Sequence, residues 1–152
     1  IINIELKGED AAHDELEPKV IASLKRKRLG DNVIISSFNP VRLARVREIA
    51  PGVSTGMLMQ KDVAGWLRRF WFAPAGGADA LHPEIGMVTE RLVQRWHRKG
   101  KAVVVWPANT VSDMEMLIEM GVDGIITDRP DRLMKLLGRG GHERSCGYNG
   151  GV

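Results

Sequence analysis

A single cysteine, Cys146, stands in 152 residues, so no internal disulfide can hold this fold. Long apolar runs are missing as well. None approaches the roughly 18 residues of a membrane-crossing helix, and no charged-then-apolar leader opens the chain, so a cytoplasmic address is expected. Charge of one sign is also scarce. The 22 Lys plus Arg against 19 Asp plus Glu leave a net +3, too mild to point to nucleic acid as a partner. No Gly-x-Gly-x-x-Gly or Walker loop follows a strand, which removes two familiar phosphate cradles. What remains, 43% hydrophobic and 27% charged, is the composition of one globular domain with a substantial core.

The first residues alternate. Strand periodicity in Ile2-Asn3-Ile4-Glu5-Leu6-Lys7 puts Asn3, Glu5 and Lys7 on one face and Ile2, Ile4 and Leu6 on the other. A carboxylate and an ammonium side by side on a cleft face suit a divalent cation next to an anionic group. Further strand-like segments start near Asn32, Val53, Gly77, Lys101 and Asp123, at the spacing of β/α units. Val33 to Ile35 and Lys101 to Trp106 are continuous apolar runs, as parallel strands covered on both faces require.

Helix punctuation lies between them. Asn39-Pro40 supplies an N-cap and a first-turn proline, and Thr89 caps a segment with Leu92, Val93 and Trp96 that Gly100 closes. Gly121 ends a helix running from Met114 to Met120, and Asp128-Arg129-Pro130 opens another that Gly138 closes. Val63, Trp66, Leu67 and Phe70 predict one more helix, followed by a short strand at Ala78 to Leu81. The basic run Lys25 to Arg28 reads as a solvated helix end, and the acidic stretch holding Glu9, Asp10, Asp14, Glu15 and Glu17 as a solvated loop. His142 and Cys146 are two ligands at most, short of a zinc site. Composition divides the chain into a folded unit over 1–138 and a Gly-rich tail over 139–152.

Repeated β/α units build either an open doubly wound sheet or a barrel. Polar and aromatic residues gather at the carboxyl ends of several strands: Glu5 and Lys7, Ser36 to Phe38, His82, Trp106, Thr127 and Asp128. That distribution favours the barrel. The expected fold is therefore α/β, a parallel (β/α)8 TIM-type barrel with about six β/α units present and two missing. Because Ile1 already adjoins a strand, the chain reads as a piece of a longer polypeptide.

Four stretches, taken in order, resemble the glycerophosphodiester phosphodiesterases. They are Asn3-Ile4-Glu5-Leu6-Lys7, Ile34-Ile35-Ser36-Ser37-Phe38, Val104-Val105-Trp106 with Asn109 nearby, and Gly121 through Pro130. The likeness covers nearly all of 1–138. It implies a (β/α)8 barrel of which this chain is the carboxyl-terminal portion, lacking the first two strands. It also implies an enzyme that uses a divalent cation, Mg or Ca, and hydrolyses glycerophosphodiesters to glycerol 3-phosphate and an alcohol. On this likeness Glu5 is a metal ligand and Lys7 an electrostatic catalytic group beside it. Trp106 matches the family's tryptophan that bounds the substrate pocket, and Phe38 and His82 stand at strand ends facing the same mouth, either as further substrate-binding residues or as packing under the loops.

Several family motifs are missing. No His-Arg-Gly, Glu-x-Asp or His-Asp stretch precedes Glu5, and His13-Asp14 follows the glutamate strand instead of preceding it. Trp106 is followed by Pro107-Ala108 where the family usually has Thr-Val. The chain alone is accordingly expected to be weak or inactive, since the general acid and base need imidazoles in place. One rival is a non-catalytic binding or scaffold module, whose open edges pair with a second chain, a fragment carrying the missing strands or another copy. A third reading is an open-sheet phosphate-binding domain.

Overall fold

The structure, a computed structural model, describes residues 1–8, 15–61 and 77–139. Its elements follow one another as β1 (Ile2–Glu5), α1 (Leu16–Lys27), β2 (Val33–Ser37), α2 (Pro40–Ile49), β3 (Ser54–Met59), β4 (Ala80–Pro83), α3 (Glu90–His97), β5 (Ala102–Val105), α4 (Val111–Glu119), β6 (Gly124–Ile125) and α5 (Pro130–Leu136). All six strands are parallel and pair strictly in sequence order. An open doubly wound sheet reverses its order at a switch point, and this sheet does not. That eliminates the open-sheet reading.

Register shows that one face carries the core. Ile4 pairs with Ile35, Met57 with Leu81, Leu81 with Val103 and Val105 with Ile125, so these side chains share a face. Against that face pack Ile21 and Leu24 of α1, Leu43 and Val46 of α2, Val93 and Trp96 of α3, and Met114 and Leu117 of α4. The opposite face holds Glu5, Ser36, Gly56, Ala80 and Ala102 along one row of register partners. Small residues there leave room for an interior.

The sheet is curled. Phe38, just past β2, meets Trp106, just past β5, edge to face with ring centroids 5.7 Å apart. In a flat sheet strands three places apart lie about 14 Å from each other. Only curvature brings these strand ends together, and the result is a half-barrel of six strands, five of them followed by a helix among the described residues.

Local signals explain most boundaries. The Asn39 side chain accepts from the Val41 N–H at 2.9 Å, with Pro40 in the first turn, and Thr89 accepts from the Leu92 N–H at 3.3 Å. Gly100, Gly121 and Gly138 all have the positive φ of a helix stop, at 68°, 72° and 64°. Lys25, Arg26 and Lys27 occupy the exposed last turn of α1.

Three expectations change. The strand expected at Ala78 to Leu81 runs from Ala80 to Pro83, because Asp79 spends its carboxylate and its N–H on Thr55 and the ladder starts one residue later. Asp128 does not cap α5: the cap position is Arg129, its N–H bonded to Thr127 Oγ1 at 2.9 Å. Glu17 is not solvated but fully buried in the first turn of α1. The helix predicted around Val63 to Phe70 and the tail beyond Arg139 lie outside the described residues. Among the described residues no helix is long and apolar enough to cross a membrane.

Candidate active site

Each functional side chain reaches the mouth because its strand ends there. On β1 Ile4 and Leu6 face the helices, so the alternation turns Asn3, Glu5 and Lys7 to the interior side, where all are exposed. Leu6 lies beyond the last β1 residue yet stays in the ladder, its N–H donating to the Ser36 carbonyl at 2.8 Å. Lys7 therefore leaves from extended chain beside the end of β2.

On the far side of the mouth Trp106 is held by two contacts. Its indole Nε1–H donates to the His82 carbonyl at 2.7 Å, and the Phe38 ring lies edge-on against it. Phe38 itself is about one-third exposed, so the pair forms a wall with one open side. Glu84, after β4, bridges to Trp106 and accepts the Lys61 N–H at 2.9 Å.

His82 takes a different position from its neighbours. It is 1% exposed, and a Cβ on Gly56 would stand 2.5 Å from its Nε2, so the imidazole lies across that glycine. Neither ring nitrogen has a hydrogen-bond partner, and burial pushes its pKa down from 6.5 to about 4. It is a neutral ring beneath the mouth.

At the last two strand ends Asn109 forms a clasp. Its Nδ2 donates to Asp128 at 2.8 Å, while its Oδ1 accepts from the Asp128 N–H at 2.9 Å and from Thr127 Oγ1 at 3.1 Å. The fourth motif of the sequence is thus a fastening for β6 against the loop after β5.

Sequence reasoning missed two buried groups beside β1. Arg42 and Glu17 are both 0% exposed and paired at 2.7 Å, and Arg42 Nε donates to the Gly8 carbonyl at 3.0 Å. The available signal was the position of Arg42 one turn before Val46 on the core face of α2. Of the other histidines, His97 pairs with Asp123 at 2.8 Å at the opposite end of the strands, and His13 and His142 lie outside the described residues.

This arrangement, a sequential parallel half-barrel with a carboxylate, an ammonium and an aromatic wall at one end, has known counterparts. The pattern of the glycerophosphoryl diester phosphodiesterase family matches residues 1–132. The chain belongs to that family. It is 35% identical to a glycerophosphodiester phosphodiesterase of Caldanaerobacter subterraneus over 93% of this chain and 57% of that one. A solved glycerophosphodiester phosphodiesterase of Thermotoga maritima superposes with a TM-score of 0.66 at 26% identity, covering 90% of this chain and 57% of the other. A phosphodiesterase of Oleispira antarctica, solved with sn-glycerol 3-phosphate, superposes with a TM-score of 0.76 at 21% identity over 90% of this chain and 54% of the other, a likeness of fold. The chain thus spans about half the length of the relatives it matches.

A divalent cation is the group such a family implies. Among the described residues no cluster of three or more His, Cys, Asp or Glu side chains is gathered to hold one. Glu5 offers a single carboxylate on the interior face. One hard oxygen ligand falls short of the six or more that such ions take, so the described residues do not make a cation site by themselves.

Proposed function

We propose that this chain forms the greater part of a cytoplasmic enzyme hydrolysing glycerophosphodiesters to glycerol 3-phosphate and an alcohol. The observation that carries the reading is the shared mouth: Glu5 and Lys7 leave β1 beside Phe38, and Phe38 touches Trp106. Lys7 would set a compact positive charge against the phosphoryl oxygens. The Phe38–Trp106 wall would bound the glycerol or head group, with neutral His82 as its floor. The glycerol 3-phosphate bound to the Oleispira relative supports that substrate class.

Glu5 is read as one ligand of a divalent cation, Mg or Ca, completed by groups the described residues do not contain. Turnover by this chain alone should be very low. His82 is enclosed and held neutral, and His97 sits at the wrong end, so neither is placed as a general acid or base.

The test is release of glycerol 3-phosphate from glycerophosphocholine with and without added Mg or Ca. Glu5→Ala should abolish any cation-stimulated part. Cation stimulation that survives the substitution would remove Glu5 from the metal.

A binding module without turnover is the second reading. The outer side of β1 carries a groove of about 340 Å³ lined by Ile4, Val20, Leu24 and Leu29 with Lys19 and Lys27 at its rim. A second chain with the completing strands, or another copy, would cover it. Intact mass and a denaturing gel of the purified protein show whether such a polypeptide accompanies the chain.

A further inference from the structure

The geometry points to Arg42 as a positioning residue that aims Lys7 into the mouth, with Glu17 holding Arg42 in place. This rests on the reading of Lys7 as the phosphate-facing group. Lys7 sits between two main-chain carbonyls, and both are held by side chains that flank the β2–α2 turn, Ser37 at the end of β2 and Arg42 in the first turn of α2. Ser37 Oγ donates to the Leu6 carbonyl at 2.8 Å, and Arg42 Nε donates to the Gly8 carbonyl at 3.0 Å. Ser37 is itself fixed, its Oγ accepting from the Asn39 N–H at 3.1 Å.

The Arg42 side chain is enclosed at 0% exposure. Its Nη1 lies 2.7 Å from Glu17 Oε1, and Arg45 approaches the other oxygen of that carboxylate at 3.8 Å. A buried ion pair adds little stability over well-packed apolar residues of the same volume, so stability gives no strong reason for its presence. Position does. A guanidinium is a rigid fork that serves two acceptors in fixed directions, here a carboxylate on α1 and a carbonyl one residue past Lys7. The chain crosses it closely. Gly8 has φ +97°, and a Cβ there would stand 3.1 Å from Arg42 Nη2. Alternation along the strand turns the Lys7 side chain to the interior face, and the two bound carbonyls hold the backbone on either side of it in that orientation.

Substituting Arg42→Lys separates this role from a merely structural one. A lysine keeps the charge opposite Glu17, but one ammonium cannot reproduce both directed bonds. In the 152-residue chain, 15N order parameters at Lys7 and Gly8 should be near the rigid value of about 0.85 and fall toward about 0.6 in the variant. Affinity for sn-glycerol 3-phosphate, followed by NMR titration, should drop about tenfold in Lys7→Met and about three- to tenfold in Arg42→Lys. The double variant should be no weaker than Lys7→Met alone, because Arg42 acts through Lys7.

Additive losses in the double variant would overturn the inference, as would order parameters unchanged in Arg42→Lys. If Arg42→Lys does not fold, Ser37→Ala, which frees the Leu6 carbonyl, should loosen Lys7 in the same sense and serves as the test. Should Lys7→Met leave glycerol 3-phosphate affinity unchanged, the phosphate reading of Lys7 fails, while the order parameters still decide whether Arg42 positions it.

Discussion

At the base of the half-barrel, where the strands begin, Asp79 and Asp123 repeat one device in alternate units. Each directly precedes a strand, donates its own N–H to the neighbouring strand at 2.9 Å, and accepts a main-chain N–H from the same residue: Thr55 at 2.8 Å and Val103 at 2.7 Å. At the mouth the direction reverses. Ser37, Arg42 and Trp106 all donate side-chain protons to main-chain carbonyls, those of Leu6, Gly8 and His82. Parallel strands dictate this polarity. Every strand starts with N–H groups and finishes with C=O groups that lack a ladder partner, so side-chain acceptors meet strand N–H groups at the base and side-chain donors meet these carbonyls at the mouth. The mouth's own acceptors, Glu84 and Asn109, take N–H groups of the loops beyond the strands. The base closes the ladder; the mouth aims side chains.

If that division is right, the largest effect belongs to the mouth's buried anchor. Glu17→Ala removes the 2.7 Å partner of a fully enclosed guanidinium and should cost about 3–5 kcal/mol, read as a lowered urea midpoint. A loss below about 1 kcal/mol would mean that the pair is not the anchor of this region.

His82 supplies the next effect, through pH. Its folded pKa of about 4 lies below the ordinary 6.5 because burial disfavours the charged ring. The unfolded chain therefore binds the extra proton first. This residue contributes no pH dependence above 6.5, then removes stability as pH falls toward 4, by up to about 3 kcal/mol in all. His82→Leu should flatten that part of the profile in urea unfolding at stepped pH. An unchanged slope would show the ring to be solvated in the folded protein.

Gly56 tests the same ring from the next strand. A Cβ at 2.5 Å from His82 Nε2 forces the imidazole to move, so Gly56→Ala should cost about 1–3 kcal/mol of overpacking. In a His82→Ala background the alanine should be accommodated, and the melting temperatures of the four proteins measure the coupling. Equal losses in both backgrounds would show that strand conformation, not the ring, requires glycine.

How much of this was legible follows from the distance over which each interaction acts. Asn39 and Thr89 bond to N–H groups two and three residues on, so their helix starts could be read from the sequence. The six strands were legible within a residue or so, except β4, whose start depends on Asp79 meeting Thr55 across 24 positions. Glu5 and Lys7 declared their face because alternation is local. Glu17 sits among acids that look solvated, and only its pairing with Arg42, 25 residues away, buries it. His82 was expected at the mouth with Phe38 and Trp106, and its strand does end there. That its ring lies across the sheet depends on Gly56 having no side chain, a fact of the neighbouring strand.

The smallest effects should arise at the base, and they give the comparison its sharpest edge. Asp79→Ala and Asp123→Ala each leave the N–H of a strand's second residue, Thr55 or Val103, without its carboxylate, but the carboxylates themselves are exposed, so water can take the place each one vacates. Each should cost about 1 kcal/mol. Asp123→Ala also frees His97, but both sides of that pair are exposed, so its removal adds little. Neither variant touches the mouth, so affinity for sn-glycerol 3-phosphate should stay within about twofold of the parent, the spread expected for independent sites. Ser37→Ala at the mouth loses two hydrogen bonds, one donated to the Leu6 carbonyl and one accepted from the Asn39 N–H, at a comparable cost in stability, yet should weaken that affinity by freeing the carbonyl beside Lys7. Equal stability losses with unequal binding losses would separate the two ends; binding losses of the same size at Asp123 and Ser37 would erase the distinction and make the sheet one coupled unit.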